Sequence, residues 1–95
     1  MNTEIKTVII DGNNFCDMNE FYSEIEKNLC KNFTMGRNLD AFNDVLRGGF
    51  EVHEYEETIN LVWKNSEKSK NNFRLEFNTL VEIIKENGNV NLILE

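Results

Sequence analysis

Thr7-Val8-Ile9-Ile10-Asp11-Gly12 is the stretch that decides the fold. Four consecutive β-branched residues favour a pleated backbone, and the Asp-Gly pair that follows ends the run with a turn. Polar and apolar residues do not alternate here, as expected of a parallel strand covered on both faces. Two further runs match it: Ile59-Asn60-Leu61-Val62-Trp63 and Val90-Asn91-Leu92-Ile93-Leu94, each bounded by turn or polar residues. Between the runs the apolar residues recur at helical spacing.

Met18, Phe21, Ile25 and Leu29 mark one face of a first helix. Asp17 and Glu20 have the spacing of a capping box, with Cys16 and Phe21 placed as its hydrophobic staple. A second helix starts after Asn38, a capping residue, and stops at Gly48 or Gly49 in a left-handed conformation. A third carries Phe73, Phe77, Leu80, Val81 and Ile84 on one stripe and ends at Asn87-Gly88. Strand, helix, helix, strand, helix, strand with right-handed crossovers gives an α/β fold, a small three-stranded parallel sheet packed by three to four helices. Phe15, Phe21, Tyr22, Phe73 and Phe77 read as core rather than as a stacking platform.

A chain of 95 residues suits a single domain, 1–95, with one modest core. No apolar run approaches the roughly 20 residues of a membrane span. Met1-Asn2-Thr3-Glu4 leads straight into the first strand without a basic and apolar leader, so a soluble cytoplasmic protein is the expectation. Cys16 and Cys30 flank a helix that would hold them roughly 20 Å apart, beyond the reach of about 7 Å that a disulfide allows. They read as free thiols in a reducing compartment.

The net charge of −7 lies entirely in residues 1–60, where 12 acids face 5 bases; residues 61–95 balance at 5 and 5. Such a field repels nucleic acid and anionic membranes and attracts basic proteins, although solubility alone also explains it. The candidate site lies in the acidic part. Gly36-Arg37-Asn38-Leu39-Asp40-Ala41-Phe42-Asn43-Asp44-Val45-Leu46, read as a helix, buries Leu39, Phe42, Val45 and Leu46. Its other side presents Asp40, Asn43, Asp44 and Arg47. Aspartates at i and i+4 repel by about 0.2–0.5 kcal/mol, so the pair does little for the helix. Asp40 also reads as a first-turn acid that complements the helix dipole. Asp44 lies mid-helix, where aspartate is a poor helix former.

This segment resembles the Gly-x-Asn-Leu-Asp-Ala-Leu-x-Asp-x-Leu signature of the barstar family, intracellular inhibitors of the ribonuclease barnase. The similarity runs over nearly the whole chain: Ile9-Ile10-Asp11-Gly12 resembles the family's first strand and turn, and Trp63, Ser69 and Lys70 its second strand and following loop. The resemblance implies that Asp40 and Asp44 enter a nuclease's phosphate site and accept charge-assisted hydrogen bonds from its catalytic cations. It implies further contacts from Thr34, Met35, Gly36, Asn38, Asn43 and Phe50, with Phe33-Thr34-Met35-Gly36 on the active-site mouth. The implied partner is a basic microbial ribonuclease bound 1:1 by a monomer, with no cofactor or metal and no catalytic residues.

The chain departs from the family where tyrosines become Thr34 and Met35 and a tryptophan becomes Asn43. Gly49-Phe50 only approximates a glycine-tryptophan pair. The family's glutamate on the last helix aligns near Ile83, between Glu82 and Glu86. These changes keep charge and lose aromatic surface, which points to a cognate nuclease other than barnase. The alternative is an acidic interaction or immunity module against a different toxin.

Glu51-Val52-His53-Glu54-Tyr55-Glu56-Glu57 reads either as an acidic lip of that surface or as a solvated loop. His53-Glu54 begins like a zinc-protease motif, but Glu57 stands where the second histidine belongs. As the one histidine, His53 has no partner for triad chemistry. Asp11-Gly12-Asn13-Asn14 has a single glycine and gives little support to nucleotide binding.

Overall fold

The structure, a computed structural model, describes residues 4–95; the expectation for the start at Met1–Thr3 lies outside them. Three parallel strands form one sheet in the order β1-β2-β3: β1 Lys6–Asp11, β2 Ile59–Lys64 and β3 Val90–Leu94. They coincide with the three apolar runs. Four helices connect them: α1 Met18–Leu29, α2 Leu39–Arg47, α3 Ser66–Asn72 and α4 Arg74–Glu86.

The sheet is covered on one face only, a correction to the expectation for the first strand. Val8 and Ile10 are buried, whereas Ile9 between them is 46% exposed. Ile9 pairs in register with Val62 and Val62 with Ile93; Ile93 is 41% exposed, and Val62 on the central strand is buried between these two edge-strand neighbours. Strand order is the cause. With β1, β2 and β3 laid down in sequence, both crossovers advance in the same direction, and a constant right hand puts every connecting helix on the same side. The unbroken apolar run in β1 therefore reflects strand propensity as much as burial.

The core lies between that covered face and the helices. Trp63, fully buried at the end of β2, has the rings of Phe77, Phe21 and Phe15 at centroid distances of 5.0, 5.5 and 5.9 Å. Its indole Nε1 donates to the buried Ser69 hydroxyl at 3.2 Å. Ser69 and Lys70, expected in a loop, belong to α3, which supplies this partner. Phe73 separates α3 from α4 with φ −148° and ψ 68°, and its ring packs against Phe15 at 6.1 Å.

The capping of α1 follows its sequence with one change. Asp17 accepts from the Glu20 amide at 2.8 Å, and Glu20 reaches back to the Cys16 amide at 2.9 Å. Cys16 itself is exposed, so it does not form the staple; Phe15 takes that part, edge-on to Phe21 at 5.3 Å. Both cysteines are free, and burial, with Glu26 nearby, pushes the Cys30 thiol up. Among the described residues no helix is long and apolar enough to cross a membrane.

Candidate functional site

Helix α2 has nine residues, fewer than an isolated helix needs in water, so its surroundings hold it. Phe42, Val45 and Leu46 are buried, and Phe42 meets Phe21 edge-on at 5.3 Å. Leu39 departs from the expected buried stripe. It is 38% exposed and lines an open cleft with Met18 and Tyr22 of α1 and Leu75 and Thr79 of α4. At the N-terminus Asn38 Oδ1 accepts from the Ala41 amide at 2.8 Å, as its position before the helix predicts.

The C-terminus is closed by the acidic segment that follows. Gly48 has φ 101°, outside the left-handed helical well but still a conformation that glycine supplies cheaply. A Cβ there would run into the Glu54 carbonyl oxygen. The Gly48 amide donates to Val45 at 3.1 Å, the Gly49 amide to His53 at 2.9 Å and the Glu56 amide to Arg47 at 2.6 Å. His53 is buried, and its Nε2 donates to the Leu46 carbonyl at 3.1 Å, which Asn89 Nδ2 also reaches at 3.0 Å. Its Nδ1 is buried without a hydrogen-bond partner. Glu51, Glu54 and Glu56 are exposed around it, so this segment is an acidic loop pinned by a central histidine.

Asp40 and Asp44 are both exposed on α2, one turn apart. Among the described residues neither carboxylate accepts a hydrogen bond or forms an ion pair with Arg47. Asn43, between them in sequence, is half-buried, and its Oδ1 accepts from Asn87 Nδ2 at 2.8 Å. That bond ties α2 to the end of α4 and directs Asn43 partly away from solvent.

The loop before α2 divides its residues. Thr34 and Gly36 are exposed. Met35 is only 4% exposed: its side chain lies in the core, and its amide donates to Glu26 Oε2 at 2.7 Å. As a surface contact Met35 is thus a correction; it anchors the loop instead, because an unbranched apolar side chain fills the gap beneath it. A Cβ on Gly36 would sit 3.2 Å from Ala41 Cβ and from Asn38 Nδ2, so the loop passes close over the helix start. Phe50 is half-buried and edge-on to the exposed Phe33 at 5.5 Å, an aromatic pair beside the loop.

Asp40, Asp44, Asn38, Thr34 and Gly36 are thus exposed on α2 and the loop leading into it, with Phe50 half-covered and Met35 beneath the surface. Sequence reasoning missed the supports: His53, Asn87, Asn89 and Glu26. Each acts across a sequence gap that no local pattern encodes. Elsewhere Glu24 is buried and accepts from the Asp11 amide at 2.9 Å and Asn14 Nδ2 at 3.0 Å. Among the described residues no group of three or more His, Cys, Asp or Glu could hold a metal ion.

The fold and this surface define a small one-sided parallel α/β domain with an acidic face on a short, clamped helix. The family model for barstar, the barnase inhibitor, matches residues 5–90, and the chain belongs to the barstar family. A comparison with curated proteins finds no match. The family is one of inhibitors, with a ribonuclease as the general kind of partner.

Proposed function

We propose that this chain inhibits a barnase-like microbial ribonuclease by occupying its active site, with Asp40 and Asp44 standing in for RNA phosphates. The observation that carries this reading is the state of the two carboxylates: exposed, without internal partners, and held on a helix fixed at both ends. A nuclease that binds RNA must present clustered cations to phosphate oxygens. Carboxylates at the same spacing accept the same charge-assisted hydrogen bonds and block access to them. Barnase and barstar are themselves the standard case of charge-steered association and of a dominant aspartate hot spot.

In this reading Asn38, Thr34, Gly36, Phe50 and the exposed edge of Asn43 add contacts to those of the two carboxylates, and the buried Met35 supports the loop from below. In this reading the protein is a monomer that binds 1:1, acts in the cytoplasm and catalyses nothing. The half-buried Asn43, where the family has tryptophan, favours a cognate enzyme other than barnase.

The test is a panel of basic microbial ribonucleases, each titrated with the chain by calorimetry and assayed for RNA cleavage. At least one should bind 1:1 and lose activity, with an association rate that falls as salt rises. The Asp40→Ala/Asp44→Ala double variant should fold and fail to inhibit. If no nuclease in the panel is bound, the reading is wrong, and an immunity role against another toxin takes its place.

A further inference from the structure

Arg47 is a cation on the same exposed stripe as the two aspartates. It follows Asp44 by three residues and Asp40 by seven, which puts it roughly 10 Å along the helix axis from Asp40. Its backbone is fixed, since its carbonyl accepts from the Glu56 amide. Its side chain lines a cleft of about 410 Å³ together with Glu56, Glu86 and Asn87. Three carboxylates are therefore close at hand: Asp44 one turn back, Glu56 and Glu86 around the cleft. The guanidinium forms an ion pair with none of them.

An arginine among carboxylates that pairs with none keeps its forked donors available, and a planar guanidinium recognises a carboxylate in bidentate geometry. A surface built only to complement a basic nuclease would gain nothing from a cation at the end of its acidic stripe. We propose that Arg47 sets partner specificity by receiving a carboxylate of the nuclease. That carboxylate would stand beside the nuclease's cationic phosphate site, about 10 Å from the groups that meet Asp40. Nucleases with a cation or an apolar group at that point are rejected, because docking would repel Arg47 or strip its water without replacement. The inference rests on the inhibitor reading and adds to it a chemical requirement on the enzyme.

The test uses the ribonuclease from the panel that the wild-type chain binds most tightly. Dissociation constants are measured at low ionic strength for wild type, Arg47→Glu, Arg47→Lys and Asp44→Ala. Thermal melts confirm that each variant folds, as expected for a solvent-exposed position. Arg47→Glu should weaken binding roughly tenfold or more, since it replaces an attraction by a repulsion. Arg47→Lys should recover only part of the loss, because lysine keeps the charge without the fork.

If Arg47→Glu tightens binding or leaves it unchanged while Asp44→Ala weakens it, the inference about Arg47 falls and the inhibitor reading stands. If Asp44→Ala also has no effect, or no nuclease is bound, both fall.

Discussion

Replacing Asp44 by alanine should move stability and binding in opposite directions. In the folded protein Asp44 is exposed in the interior of α2, with no hydrogen bond or ion pair among the described residues. Alanine is the better helix former by up to about 0.7 kcal/mol. Removing the i,i+4 repulsion with Asp40 adds about 0.2–0.5 kcal/mol. The sum, about 1 kcal/mol, should raise the melting temperature of a domain this size by about 4–8 °C. The complex should suffer instead. Loss of a hydrogen bond to a charged group costs about 1.5–3 kcal/mol, or roughly 10- to 150-fold in Kd.

Asp17→Ala is the control, since it changes net charge equally at a different place. Asp17 caps α1 through the Glu20 amide at 2.8 Å, so its loss should lower the melting temperature by a similar amount. Binding to the nuclease should hardly change. Differential scanning calorimetry and titration calorimetry on the three proteins decide the matter. Equal weakening by both variants would mean that only overall charge counts. A destabilised Asp44→Ala would mean that this aspartate has a structural role after all.

Three further outcomes follow from the packing and the titrating groups. Glu24→Ala leaves the Asp11 amide and the Asn14 side chain without their acceptor and should cost about 1–3 kcal/mol, read from urea unfolding midpoints. Gly48→Ala forces a side chain into a positive-φ position against the Glu54 carbonyl; it should destabilise by more than 1 kcal/mol or so and weaken nuclease binding by disturbing the end of α2. Hydrogen bonds lower the Asp11 carboxyl below its ordinary value of 3.8, first that from the Asn13 amide and then that from Asn65; the Glu54 amide chiefly lowers Glu57 below 4.5. Carboxyls depressed in the folded state stabilise it above their unfolded pKa, and that contribution fades as pH falls through the folded value. The melting-temperature gap between wild type and an Asp11→Asn/Glu57→Gln variant should therefore be constant at neutral pH and narrow below about pH 4.

What could be read in advance was the part of the fold that is local. Phe42, Val45 and Leu46 share a face because a helix repeats every 3.6 residues, and Asn38 caps because its side chain reaches an amide three residues on. The three strands were legible for the same reason. The bare sheet face was not, because Ile9 and Ile93 look identical in sequence whether or not a helix lies over them. Only the strand order shows that nothing does. Helix α3 was hidden by a polar composition, Ser66–Asn72, that reads as loop until Ser69 is seen beneath the Trp63 indole. Around the candidate site the charges were legible and their supports were not. Asn87 meets Asn43 across 44 residues, and Met35 packs into the core while Glu26 accepts from its amide.

Those supports explain why an unfavourable pair of charges can persist on so short a helix. The last turn of an α-helix leaves carbonyls that must find partners elsewhere. In α2, Leu46 is satisfied by His53 and Asn89 and Arg47 by Glu56, so the acidic loop and the turn before β3 grip the helix end. Asn87 adds a side-chain tie at Asn43. With the backbone held this way, repulsion between Asp40 and Asp44 has no low-energy outlet through fraying, and it is small beside the buried apolar contacts of Phe42, Val45 and Leu46. The backbone that carries the carboxylates is held before any partner arrives. A binding surface arranged in advance avoids the entropic penalty of ordering itself on association. Neutralisation by a partner's cations also removes a repulsion that the free protein carries. On the proposed inhibitor reading, a pair that does little for folding would favour the complex twice, through attraction to the partner and through relief within the helix.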